Sequence, residues 1–386
     1  MSSERRKFIK QSFATAAGIA STSIPTDLFA SSFHQTSRPT YVKATSPKPP
    51  KQKESIRFSV IGLNHGHIYE QVKSLQDGGG ELVAVYAKEP DLLNEFTKRY
   101  PKAKVASSEE EILGDSSIQM VVSAAIPSDR APLGVRVMKS GKDYMVDKPG
   151  ITSLEQLAEV KRVQKQTNRI YFIMYSERLG NSASVKAGEL TVAGAIGKVV
   201  QTIGMGPHRM RPETRPDWFF DPKYFGGILT DIGSHQADQF LYYTGSNEAT
   251  VVASQIGNIN NPQYPKFEDF GDMMVRGNGG TGYIRIDWFT PNGLSTWGDG
   301  RLTILGTEGY MELRKYVDIA GRKGGNHLFL VGKKETKYYD CSEVYVPFGS
   351  QLVNDVVNRT ETAMSQKHCF LATELALKGQ AQATRL

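Results

Sequence analysis

Ile56-Arg57-Phe58-Ser59-Val60-Ile61, then Gly62-Leu63-Asn64-His65-Gly66-His67, then Ile68-Tyr69-Glu70-Gln71-Val72-Lys73-Ser74-Leu75 is the stretch that decides the fold. A β-rich run enters a glycine turn and leaves it as an amphipathic segment, which predicts strand, tight turn and helix. The rhythm repeats. Strands are expected at Leu82 to Tyr86, Val105, Met120 to Ala124 and Tyr144 to Val146, with helices at Leu92 to Tyr100 and Ala131 to Ser140. Alternation at this spacing predicts a parallel, doubly wound α/β sheet. Ligands of such sheets lie beyond the carboxyl ends of the strands, where the first turn offers helix amides to a pyrophosphate.

The turn departs from the dinucleotide fingerprint Gly-x-Gly-x-x-Gly, whose positions hold Gly62, Asn64 and His67, with Gly66 displaced by one. Gly62, Asn64, His65, Gly66 and His67 are nonetheless the expected contacts for NAD or NADP. His65 and His67 also fit a packing or capping role. After the second strand, Tyr86-Ala87-Lys88 lacks the acid that usually takes the ribose hydroxyls. Lys88 reads either as the partner of a 2′-phosphate or as a solvated charge at a helix start.

The chain has 386 residues and a net charge of +7. Residues 1–55 hold nine Lys and Arg against three Asp and Glu, so only +1 of that charge belongs to the remainder. No basic stripe is left to track phosphates, so nucleic acid is excluded as a partner. Ser3-Glu4-Arg5-Arg6-Lys7-Phe8-Ile9-Lys10, followed by a weakly apolar run from Phe13 to Ile24, resembles a twin-arginine export signal. It assigns residues 1–30 to a signal and the chain to the periplasm or another exported location, with the twin-arginine machinery as a partner. Residues 31–55, with Pro39, Pro47, Pro49 and Pro50, have the composition of a disordered linker. Cys341 and Cys369 are a candidate pair in an oxidising compartment.

Val146-Asp147-Lys148-Pro149 and Gly226-Gly227-Ile228-Leu229-Thr230-Asp231-Ile232-Gly233-Ser234-His235, in that order, resemble the Gfo/Idh/MocA family. Ala124-Ala125-Ile126-Pro127, Gly194-Ala195-Ile196-Gly197-Lys198-Val199 and Leu305-Gly306-Thr307-Glu308-Gly309 extend the resemblance over residues 56–386. It implies a Rossmann-type nucleotide domain over 56–175 and an α+β domain over 176–386, whose open, mostly antiparallel sheet joins copies into a homo-oligomer. It also places Pro127, Lys148 and Tyr175 beside the cofactor. Independently, β-rich runs at Val199 to Gly204, Thr250 to Ile256, Met273 to Arg276, Tyr283 to Phe289, Leu302 to Leu305 and Tyr310 to Leu313 predict such a sheet, with no long helix intervening among them after residue 245.

Asp231 and His235, four apart, share one face of a helix, and Asp238 lies three further along that edge. Oxidising a sugar alcohol needs a base for the hydroxyl proton, and imidazole titrates near neutrality. The resemblance assigns that role to His235. Asp231 then orients the ring or holds a neighbouring hydroxyl, and Lys148 polarises the reacting oxygen. Arg209, Arg215 and Trp218 sit in a loop dense in donors and aromatics and, with Asp238, are the expected substrate contacts. No metal site is expected, because Asp231, His235 and Asp238 lack further ligands at recognisable spacing. Three functions compete: a carbohydrate oxidoreductase with a tightly bound cofactor, redox-neutral glycoside cleavage through a 3-keto sugar, and a carbohydrate-binding protein without cofactor.

Overall fold

The computed structural model describes residues 39–46 and 54–386. The signal expected over residues 1–30 lies outside the described residues. The first half alternates as its sequence predicts. After strand β1 (Thr40–Thr45) come β2 (Ile56–Ile61), α1 (Ile68–Asp77), β3 (Gly80–Tyr86), α2 (Pro90–Arg99), β4 (Lys104–Val105), α3 (Glu109–Gly114), β5 (Met120–Ser123), α4 (Pro127–Lys139), β6 (Asp143–Asp147), α5 (Leu154–Thr167) and β7 (Tyr171–Met174). Strands β2 to β7 form a parallel sheet in the order β4-β3-β2-β5-β6-β7. The order reverses between β3 and β5, on either side of β2, and this switch point is where a doubly wound sheet opens a ligand crevice.

Short helices α6 (Ser176–Leu179) and α7 (Ser182–Val192) lead to β8 (Val199–Pro207), and α8 (Pro222–Phe225), α9 (Ile228–Asp231) and α10 (Gly233–Thr244) follow. Then come β9 (Ala249–Gly257), β10 (Phe270–Gly277), β11 (Thr281–Asp287), β12 (Arg301–Gly306), β13 (Gly309–Arg314), β14 (His327–Gly332), β15 (Thr336–Glu343), α11 (Phe348–Asn358), α12 (Gln366–Ala381) and β16 (Thr384–Arg385). Among the described residues the second sheet has ten strands in the order β1-β15-β14-β13-β12-β8-β11-β10-β9-β16. It is mostly antiparallel, with parallel pairs β1·β15, β8·β11 and β9·β16.

Two expectations are corrected, for Thr40–Thr45 and for the cysteines. Thr40–Thr45, placed in the disordered linker, is an edge strand pairing with β15 from Thr40↔Lys337 onward. Its alternation turns Val42 and Ala44 inward against the C-terminal core, and neighbouring prolines masked this short period-two signal. No long helix intervenes among the β-runs after residue 245, and two follow them: α11 buries Phe348, Leu352, Val353 and Val356, and α12 buries Cys369, Phe370, Leu375 and Leu377. Both return to the first half. Gln366 of α12 accepts from the Tyr171 amide (2.8 Å) and donates to the Tyr171 carbonyl (3.2 Å), closing the open edge at β7. Cys341 and Cys369 are free, buried thiols rather than a disulfide.

Candidate active site

At the switch point Gly62 has φ +85°, and a Cβ there would stand 2.6 Å from the Ala125 Cβ. The turn after β2 therefore lies against the loop after β5 as only glycine allows. A Cβ on Gly66 would meet nothing within 4 Å, so the turn's backbone is approachable from that side. Beside it, a cavity of about 80 Å³ is lined by Gly62, Asn64, Ala87, Lys88, Glu89 and Ala125, among others. Asn64, at the second glycine position of the fingerprint, turns its amide to the Glu89 carboxylate (2.8 Å). A carboxylate missing from Tyr86-Ala87-Lys88 is thus supplied one residue later by Glu89. Lys88 is exposed and makes no ion pair. These features fit the adenosine end of a dinucleotide.

His65 and His67 point the other way, into a larger cavity of about 360 Å³ between the two halves. Both converge on Asp147 at the end of β6: His67 Nδ1 lies 2.9 Å from Oδ1, and His65 Nδ1 3.2 Å from Oδ2. Arg130 of α4 completes the cluster through Nη2 to Asp147 Oδ2 (3.2 Å). Its Nε donates to the Ala125 carbonyl (2.7 Å), and its Nη1 to the carbonyls of Asp147, Lys148 and Pro149. One buried guanidinium thereby fixes the loop that presents Lys148, whose peptide bond to Pro149 is cis. Burial pushes the Asp147 carboxyl up, but His67, Arg130 and His65 outweigh it and hold it well below the usual carboxylate range.

Lys148 Nζ lies 2.9 Å from Asp231 Oδ1, with only 5% and 9% of the two residues exposed. Burial alone would raise the Asp231 carboxyl, but the Lys148 ammonium more than compensates and the net shift is downward. The expected shared helix face is not formed: Asp231 ends α9, while His235 and Asp238 belong to α10. The Asp231 carboxylate is given to Lys148 rather than to the imidazole. His235 is 2% exposed, and its Nδ1 has no hydrogen-bond partner. Burial pushes its pKa down to about 4, against the pull of Glu177, so the ring is neutral at pH 7.

Glu177, in the Tyr175-Ser176-Glu177-Arg178 run, is a buried carboxylate that the sequence reading passed over. It accepts from Lys315 (2.7 Å) and Gln236 (2.8 Å), and its second oxygen has no partner. Burial raises its carboxyl, but Lys315 and His235 overcome that and hold it at about 2. His208 was likewise not singled out. It lines the cavity, its ring lies 4.5 Å from that of Trp297, and its Nδ1 lies 3.0 Å from the Gly206 carbonyl. That carbonyl can only accept, so Nδ1 carries the proton and Nε2 the lone pair.

The remaining expected residues divide. Pro127, Arg209, Arg215 and Trp218 line the cavity. All three tryptophans of the chain, Trp218, Trp288 and Trp297, do so. Asp238 does not: it is fully buried between Arg178 (2.7 Å to each oxygen) and His368 (2.8 Å). Three residues beyond His235, it sits on the side of α10 that packs on α12, so its role is structural. The Tyr175 and Thr373 hydroxyls are hydrogen-bonded to each other (2.8 Å), and only the Tyr175 ring approaches the site, edge-on to His235. Asp231 is engaged by Lys148, and Asp238 by Arg178 and His368. The ligand atoms of His65, His67 and Asp147 lie within 4.8 Å of one another, the one such group among the described residues, with Arg130 already on the shared carboxylate.

Comparison with known proteins agrees with this geometry. Residues 56–175 match the model "Oxidoreductase family, NAD-binding Rossmann fold", and residues 185–312 match "GFO/IDH/MocA C-terminal domain". A candidate oxidoreductase of known crystal structure from Erwinia carotovora atroseptica SCRI1043 is 47% identical, with a TM-score of 0.84 over 86% of this chain and 99% of that one. Scyllo-inositol 2-dehydrogenase (NAD(+)) of Bacillus subtilis (strain 168) is 24% identical over 297 residues, 75% of this chain and 83% of its own. Levoglucosan dehydrogenase, in complex with NADH and levoglucosan, shares the fold at 18% identity and a TM-score of 0.69, over 85% of this chain and 96% of that one. Both halves are matched in order, and the chain belongs to the Gfo/Idh/MocA family of NAD(P)-dependent oxidoreductases.

Proposed function

We propose that the protein interconverts a carbohydrate hydroxyl and the corresponding ketone in the 360 Å³ cavity, with a nicotinamide cofactor held tightly enough to stay through the cycle. The observation that carries this is the Lys148–Asp231 pair, buried beside a neutral His235 where the two halves meet. Bound NAD(P) supplies the hydride acceptor or donor. Lys148 stabilises the oxyanion that develops as the hydroxyl proton leaves. His235, kept neutral by burial, takes that proton, and Asp231 keeps Lys148 charged and aimed. His65 and His67, held by Asp147, form the wall between the dinucleotide turn and the cavity.

A second reading has one observation in its favour. His208, with Nε2 bare, is a base in the cavity wall, and cleavage of a glycoside through a 3-keto sugar needs a base for the carbon acid formed after oxidation. The assembled Lys148, Asp231 and His235 weigh against a purely binding protein.

Export by the twin-arginine route rests on Arg5-Arg6 and the run that follows. Association of copies through the second sheet rests on its exposed apolar row: Ile203, Tyr283 and Met274 are adjacent across three strands, with Leu305 and Tyr310 nearby. The test of the main reading is to purify the full chain, denature it and assay the supernatant by mass spectrometry. Near-stoichiometric NAD or NADP is expected. A preparation that releases none and rejects added nucleotide refutes a resident cofactor.

A further inference from the structure

The charge in the cavity wall is lopsided. Arg130, Lys148, Arg209 and Arg215 line it, against Asp231 alone. Arg130 is answered by Asp147 behind the wall, and Lys148 by Asp231. Among the described residues, Arg209 and Arg215 have no carboxylate within ion-pair distance. Carbonyl groups hold them instead: Arg209 Nη2 donates to Pro291 (2.9 Å) and Leu294, and Arg215 Nε to Met210 (2.9 Å). The Arg215 guanidinium lies over the rings of Phe219 (4.6 Å) and Trp288 (5.2 Å).

The wall is also rich in unused donors. Arg209 Nε and Trp288 Nε1 are buried N–H groups without acceptors. Desolvating two guanidinium groups with no counter-ion is unfavourable unless a ligand brings the missing charge. The planar donor fork of arginine suits carboxylate, phosphate and sulfate oxygens.

We infer that the substrate is an anionic carbohydrate, a sugar carrying a carboxylate or a phosphate or sulfate ester. Its anionic group rests against Arg209 and Arg215, its ring lies along the tryptophan-lined wall, and its reacting hydroxyl reaches Lys148. This assignment rests on the oxidoreductase reading of the same cavity.

The test uses the cofactor-loaded full chain and matched pairs in the gluco, galacto and manno series: each hexose, its uronate, its 6-phosphate and its 6-sulfate. Cofactor reduction is followed at 340 nm and binding by calorimetry. At least a 30-fold higher second-order rate constant for single-turnover reduction of the bound cofactor is expected for one class of anion over the matched neutral sugar, and the preferred anion identifies the group. In Arg215→Gln and Arg209→Gln that preference ratio falls at least tenfold, while Arg215→Lys keeps part of it. Neutral sugars turned over as well as every anion, or a ratio unchanged in both Gln variants, overturns the inference and leaves the oxidoreductase reading standing. Arg215-dependent binding of an anionic sugar without cofactor reduction in any series supports the anion site and counts against the oxidoreductase reading. If the Gln variants fail to fold, the wild-type panel alone still decides.

Discussion

Replacing Lys148 by Met leaves the Asp231 carboxylate buried without its ammonium partner, 2.9 Å away in the native protein. The carboxylate then has two options: stay ionised in a poorly solvated wall, or take up a proton. Protonation sets a ceiling. Against an unfolded-state pKa of about 3.9, neutralising an Asp at pH 7 costs about 1.36 kcal/mol for each of roughly three pH units, or about 4 kcal/mol. Losing one partner of a buried pair typically costs about 3–5 kcal/mol, in agreement. The sign follows from linkage. Asp231 titrates below its ordinary value in the native protein, so its contribution is present above the unfolded pKa and is lost as pH falls through the folded one. In Lys148→Met the folded pKa is raised instead, so the penalty should shrink from about 4 kcal/mol at pH 7 to about 1.5 kcal/mol at pH 5. Urea denaturation of wild type, Lys148→Met, Asp231→Asn and the double variant at both pH values measures this. The double variant should recover at least half of the single-variant loss. A loss below 1 kcal/mol at pH 7, an equal loss at both pH values, or strictly additive variants would refute the account.

Four further expectations concern His235, the dinucleotide turn and the second sheet. Because burial holds His235 near pH 4, the acid limb of kcat/KM for the free enzyme should lie below pH 5, and an apparent pKa of 6.5 would show that the ring is not the buried neutral base. The same depression makes the fold lose stability as pH falls from about 6.5 to 4, by roughly 3 kcal/mol, and His235→Asn should remove that part of the slope in denaturation curves. Gly62→Ala puts a Cβ 2.6 Å from Ala125 at a φ of +85°, so it should destabilise the chain by about 2 kcal/mol or more and weaken dinucleotide binding at least tenfold, measured by calorimetry. Met274→Asp, on the exposed apolar row of the second sheet, should shift the protein to monomer in sedimentation experiments, and an unchanged mass would place the interface elsewhere.

What was legible in the sequence was what is local. The Ile56–Leu75 stretch carries its strand, its turn and its helix within twenty residues, and the repeating alternation that follows fixes a parallel sheet and the place of its ligand crevice. Thr40–Thr45 was hidden because six alternating residues among prolines gain their meaning only when β15 lies alongside. Asp238 misled for a related reason. Three residues past His235 a side chain can fall on either side of the helix edge, and the choice was made by Arg178 and His368, which lie 60 and 130 residues away.

The site obeys the same division with more consequence. Lys148, Asp231 and His235 could be picked out one by one from their motifs, but their chemistry depends on charges that neighbour them only in space. Asp147 gathers His65 and His67 from the turn after β2 and Arg130 from α4, and Glu177 meets Lys315 across 138 residues. Sequence therefore identifies the ionisable groups more readily than their counter-ions, and counter-ions decide which group is a base, which is an anchor and which is left to meet a ligand. Asp238 and Arg209 illustrate the point from opposite sides. The first is satisfied by Arg178 and His368 and so is withheld from substrate, whereas the second, a substrate candidate from its loop, keeps a buried N–H without an acceptor.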